Sequence, residues 1–180
     1  MLTCSDDGTK HIEWKTKMKA QDILASTYQT SSFILRSYFE DLSDSDLMHR
    51  PGPGCNHLAW QLGHLIVSEV SLLNSVCPGA GAELPAGFAE RYKKETASNN
   101  SLEAFDSKDE YMRLLDHNQV AALKAFAEVD DQRLEEPAPE SLRPMFPTVA
   151  AVLILVATHE MMHAGQFVPV RRALRKPIVI

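Results

Sequence analysis

Apolar side chains recur at spacings of three and four in four long stretches of this chain, and no stretch reads as a strand. Ile23, Leu24, Thr27, Tyr28, Ser31, Ile34, Leu35, Tyr38, Phe39 and Leu42 form the first stripe. It predicts a helix over residues 18–42, closed by a loop at LSDSD. Pro51-Gly52-Pro53-Gly54 then forbids regular structure. Asn56 follows as an N-cap candidate for a second helix over 57–76, with Leu58, Leu62, Leu65, Ile66, Val70, Leu72 and Leu73 as its apolar positions. Cys77-Pro78-Gly79 ends that helix. Ser107 and Glu110 make a capping box for a third helix over 108–129, which turns Met112, Leu115, Ala122, Ala125, Phe126 and Val129 toward the core. Pro137, Pro139, Pro144 and Pro147 interrupt the chain again. Thr148 opens a last helix that runs to about residue 174, with Pro169 expected to bend it near its end.

The first half of that last helix, VAAVLILVA, is rich in β-branched residues and could pass for a buried strand. The polar, His-bearing continuation at helical spacing decides for helix. Apolar all round, this half calls for cover on more than one side, either from a two-fold partner in a homodimer or from the chain's own helices. The connection over 77–106 is long for a compact domain. Its first half, GAGAELPAG, reads as loop, and FAERYKKETASNNS is too polar to be core. Residues 1–16 are polar and expected to be flexible, residues 177–180 to be extended and packed down, and the rest to form one domain. Four helices without strands mean an all-α, four-helix bundle.

Composition narrows the function. The 180 residues are 44% hydrophobic and carry a net charge of −6, with no long basic run, so nucleic-acid binding through a basic face is disfavoured. The longest apolar run is too short to span a bilayer, so no membrane role is expected. Cys4, Cys55 and Cys77 are odd in number and far apart, and no apolar leader opens the chain; a reducing cytoplasm is the expected setting.

The chemistry concentrates in THEMMHAGQF. His159 and His163 are four apart, so on a helix their imidazoles share one face about one turn apart, which suits two nitrogen ligands to one metal ion. With Glu160 the stretch also reads His-Glu-x-x-His, the zincin pattern. Seven histidines produce roughly a quarter of such a pair by chance in a chain of this length, so a third ligand must be found. His11 and His49 fall in loops, and His117 lies among polar neighbours. His64 sits in the middle of the second helix beside Gly63, which lets another helix approach closely. It is the better third ligand, with His57 as an outer-shell candidate.

NHLAWQLGHLIVSE, followed much later by THEMMHAGQFVPVRRAL, resembles the DinB-like superfamily, the DinB/YfiT-like metalloenzymes. A His in the second helix after a Pro/Gly loop, then His-x₃-His and Gly-Gln in the fourth, carry the likeness over residues 18–180. Two positions depart from the family's habit: Ala164 stands where Arg is frequent, and Arg175 where Gly is. The resemblance implies an up-down-down-up bundle with the long crossover between helices two and three. It also implies a divalent metal held by His64, His159 and His163, and relatives that include thiol-dependent transferases. A small-molecule substrate follows, with a low-molecular-weight thiol as a candidate partner.

Three neutral histidines leave open positions on a metal, the ligand set of a catalytic site. Nitrogen ligation suits Zn, Ni, Fe or Cu. Gln166, three residues past His163, and Glu160 are the candidate catalytic residues. A zincin would use Glu160 as its base. In a bundle the same side chain is rotated about 100° from His159 and can point into a neighbouring helix. Trp60 reads as core or pocket wall, and Cys55 as a free thiol. An S-transferase, a hydrolase and a non-catalytic metal-binding module all remain open.

Overall fold

A computed structural model of the protein describes residues 17–179, so the expected loose segment 1–16 lies outside it. The helices are α1 (Ala20–Phe39), α2 (Asp44–Leu47), α3 (Leu58–Val76), α4 (Phe88–Arg91), α5 (Lys108–Glu128), α6 (Asp131–Glu135) and α7 (Val149–Ala173). Among the described residues, β pairing is limited to one isolated bridge, Pro137 to Thr148.

Local chemistry accounts for most boundaries. Ser107 and Thr148 cap α5 and α7 as expected, each side chain accepting from a backbone N–H three residues on. The cap of α3 is His57 rather than Asn56: its Nδ1 accepts from the Trp60 backbone N–H at 3.0 Å. LSDSD is not all loop. Ser43 and Asp46 form a reciprocal capping box that nucleates α2.

α1, α3, α5 and α7 form the bundle, with directions fixed by which residues meet. Arg36 of α1 pairs with Asp116 of α5, while Gln21 reaches the Val129 carbonyl, so α1 and α5 are antiparallel. Asn118 of α5 reaches Ile66 and Glu69 of α3, and the later residues Leu73 and Val76 pack with Ala125 and Val129, so those two are parallel. Arg171 near the end of α7 holds the Tyr38 carbonyl at the end of α1, which makes α1 and α7 parallel. The topology is therefore up-down-down-up, and residues 77–107 form the crossover that parallel neighbours require.

That crossover is not purely polar. Phe88 and Tyr92, four apart, are buried in the core, with Phe105 packed on them. Their charged sequence neighbours hid a two-residue apolar face.

Two hydrophobic clusters fill the bundle, one at each end. Leu35, Phe39, Leu58, Leu62, Tyr111 and Phe167 belong to the first, and Tyr28, Leu73, Phe126, Val152 and Val156 to the second. α7 runs through both. Its first half is covered by α1, α3 and α6 of the same chain, leaving Ile154 53% exposed, so its apolar circumference is met largely from within. By length and composition α7 could cross a membrane, but half of its most apolar window is buried in the bundle, as in a core helix. Pro169 sits inside α7, which continues to Ala173. The tail does not pack down fully: Ile178 and Val179 stay exposed.

Candidate metal centre

His64 comes from the middle of α3, and His159 and His163 from α7, which runs antiparallel beside it. One ligand-type nitrogen from each of the three lies within 4.8 Å of the others. The ring centroids are 6.3 Å apart for His64 and His159, 5.8 Å for His64 and His163, and 4.9 Å for His159 and His163. The helical spacing supplies one edge of this triangle, and the α3–α7 packing supplies the other two.

Burial keeps these imidazoles neutral. It lowers His64, takes His159 to about 4 with His64 adding to the effect, and takes His163 to about 3 with His159 and His64 adding to it. Neutral imidazole is the ligating form. Nδ1 of His159 is buried with no hydrogen-bond partner, an unmet nitrogen of the kind that a metal or its outer ligands satisfy. The residues present thus fit a transition-metal ion bound by three nitrogens.

Two of the rings, those of His64 and His163, are held from outside. The indole of Trp60 stacks on His64, with centroids 4.9 Å apart and planes 7° from parallel. Its Nε1–H donates to the Lys93 carbonyl at 3.2 Å and to Thr96 Oγ1 at 3.1 Å, so the crossover pins the indole. Ser68 Oγ lies 3.4 Å from His64 Nε2. Gln61, buried and one turn before His64, places Oε1 3.4 Å from His163 Nδ1. Gly63 admits the C-cap residue of the short helix α4: an added Cβ would meet Tyr92 Cε1 at 2.1 Å.

His159, Met162, His163 and Gln166 share one stripe of α7, at i, i+3, i+4 and i+7. His159 is buried, His163 is half-buried, and Met162 and Gln166 are exposed, so the ligand stripe runs from the core to the surface. This gives the site an open side.

Glu160 is elsewhere. It is fully buried on the α1 side of α7, and burial pushes its carboxyl up to about 7, with Ser32 and Arg36 opposing that rise. The Ser32 hydroxyl faces the carboxyl, though no hydrogen bond of ordinary length and angle closes on either oxygen. It belongs to a polar layer between the two hydrophobic clusters, to which all four long helices contribute. In that layer Glu69 Oε2 accepts from Tyr28 Oη–H at 3.2 Å and from Asn118 Nδ2–H at 3.0 Å. Burial, then the neighbouring Glu160, pushes the Glu69 carboxyl well up.

His57 does not join the cluster. Besides capping α3, its Nε2 is 3.1 Å from the Asn99 carbonyl, which occupies its second nitrogen. Cys55 is exposed and free. Sequence reasoning missed Gln61, Glu69, Asn118 and Tyr92. For the first three a signal existed: each is a polar residue falling in the apolar register of its helix.

The model of the DinB superfamily matches residues 33–167. Among solved structures, YfiT from Bacillus subtilis superposes with a TM-score of 0.62 at 14% identity, covering 93% of this chain and 95% of its own. It is described as a probable metal-dependent hydrolase with an unusual four-helix bundle topology. A conserved protein from Enterococcus faecalis superposes with a TM-score of 0.61 at 14% identity, covering 89% of this chain and all of its own. No curated protein matches the sequence.

Proposed function

The chain belongs to the DinB superfamily, and from that premise we propose that it is a metal-dependent enzyme acting on a small molecule at His64, His159 and His163. The convergence of three neutral imidazoles from two helices carries this reading. A structural site would close its fourth position with a further protein ligand, whereas three histidines with an exposed stripe beside them leave room for a substrate. Bound there, a divalent ion such as zinc, nickel or iron lowers the pKa of a water or thiol and polarises a substrate oxygen.

The chain's own part is to hold and shield. Trp60 and Gln61 fix two of the rings. Met162 and Gln166 lie exposed on the ligand stripe, and Gln166 is our candidate for a hydrogen bond to an incoming substrate. Glu160, with its carboxylate inside the bundle, is a core residue rather than a base, so the reaction does not follow the zincin pattern. The first reactions to examine are hydrolysis, in keeping with the description of YfiT, and transfer of a low-molecular-weight thiol.

Elemental analysis tests the site. The expected result is one divalent metal per chain in the wild type and little in the His64→Ala, His159→Ala and His163→Ala variants. Undiminished metal in His163→Ala would remove the assignment. A panel of hydrolysable esters and amides beside thiol acceptors with bacillithiol, mycothiol or glutathione then separates the reactions. Turnover of neither set by the metal-loaded protein would point to a binding module.

A further inference from the structure

Gln61 is 2% exposed, in an interior that otherwise favours apolar side chains at its register. A buried carboxamide must place both ends. Its Nε2–H donates to the Asn56 carbonyl at 2.7 Å. Flipping the amide would press an oxygen against that carbonyl, so its orientation is settled by its own hydrogen bond. Oε1 therefore faces His163 Nδ1, at 3.4 Å, the outer limit of a hydrogen bond. An amide oxygen only accepts, so the nitrogen it faces is favoured in its protonated form. A neutral imidazole with its proton on Nδ1 keeps its lone pair on Nε2.

Resting on the metal-centre reading above, we propose that Gln61 is a positioning residue. It holds His163 in the Nδ1–H tautomer, so that His163 ligates through Nε2. The anchor is the loop before α3: the Asn56 carbonyl fixes the amide, the amide fixes the imidazole, and the ring presents one defined nitrogen to the site. Outer partners of this kind orient the ring and raise the basicity of the ligating nitrogen. The position is legible in the fold because Gln61 lies one turn before His64 on the same helix, so a single segment of α3 supplies one ligand and orients another.

Zinc-loaded protein, labelled with nitrogen-15, tests the assignment by long-range proton–nitrogen NMR. His163 is expected to show a protonated Nδ1 and a zinc-bound Nε2. Zinc affinity, measured by chelator competition, should fall about 10–100-fold in Gln61→Leu. A proton on Nε2 with zinc on Nδ1 overturns the proposal, as does wild-type affinity in Gln61→Leu. The NMR measurement on the wild type stands even where the leucine variant folds poorly. A wild type that takes up no zinc or other divalent ion would remove the metal centre itself together with this role, whereas zinc bound through the other nitrogen removes only the role of Gln61.

Discussion

Replacing Gly63 with alanine adds one methyl group at the point where the crossover meets α3. The new Cβ would lie 2.1, 2.2 and 2.3 Å from Cε1, Cδ1 and Cζ of Tyr92, far inside van der Waals contact. The ring has little freedom to retreat. Its hydroxyl donates to Asp106 Oδ2 at 2.7 Å and lies 2.6 Å from the Tyr111 hydroxyl, while Phe88 and Phe105 flank it. Overpacking of this kind costs about 1–3 kcal/mol. If the ring swings out, the three hydrogen bonds of its hydroxyl, to Asp106 Oδ2, the Tyr111 hydroxyl and the Asp106 backbone N–H, go with it, at about 1 kcal/mol each. Against this, alanine is the better helix former by about 1 kcal/mol. Whichever route the ring takes, the net expectation is a destabilisation of about 2 kcal/mol, or a urea midpoint lower by about 1 M at an ordinary m-value. A Tyr92→Ala background supplies the control. With the ring gone, Gly63→Ala should become neutral or mildly stabilising. A midpoint in the single variant equal to or above wild type would refute the packing of Tyr92 on Gly63, and with it the account of how the crossover is held beside His64.

Glu160→Gln should keep its full metal content; loss as complete as in His159→Ala would place Glu160 in the ligand set. The same variant should change the pH dependence of stability. Burial raises the carboxyl from 4.5 to about 7, so the native state holds a proton that the unfolded chain has released, and the stability present below 4.5 is lost as pH rises through about 7. Urea titrations across that range should show a flatter profile for Glu160→Gln, and an unchanged slope would refute the buried placement. Because His159 and His163 are depressed to about 4 and about 3, protons should compete with the metal only in acid. Metal content after dialysis is expected to be intact at pH 6 and to fall toward pH 4, so half-loss already at pH 6.5 would contradict the neutral-ligand reading.

The parts of the fold that depend on nearest neighbours along the chain were legible in the sequence. Stripes at spacings of three and four, Ser107 and Thr148 as caps, and proline clusters between helices depend on local backbone geometry alone, and they place α3, α5 and α7 within a residue or two. The apolar stripe over 18–42 outruns α1 at both ends because a stripe shows which face is apolar but not where the backbone turns. There the capping box of Ser43 and Asp46 starts α2, and α1 stops at Phe39. His159 and His163 were legible for the same local reason, since a four-residue spacing on a helix fixes their geometry, and His64 was legible from its place in mid-helix beside Gly63 and from the resemblance to the DinB-like superfamily.

Contacts between elements were a different matter. That Gly63 receives the ring of Tyr92, that Phe88 and Tyr92 of a charged crossover are core, and that Glu160 looks into α1 are facts of which surfaces meet. So is the tie between Gln61 and His163, 102 residues apart in sequence. Four helices, a bundle and the shared face of His159 and His163 can be read from the chain alone, because they follow from a helix's own period. The distances at which His64 meets the other two rings, the open side of the site and the buried polar layer come from the packing of helices far apart in sequence, which no local pattern encodes.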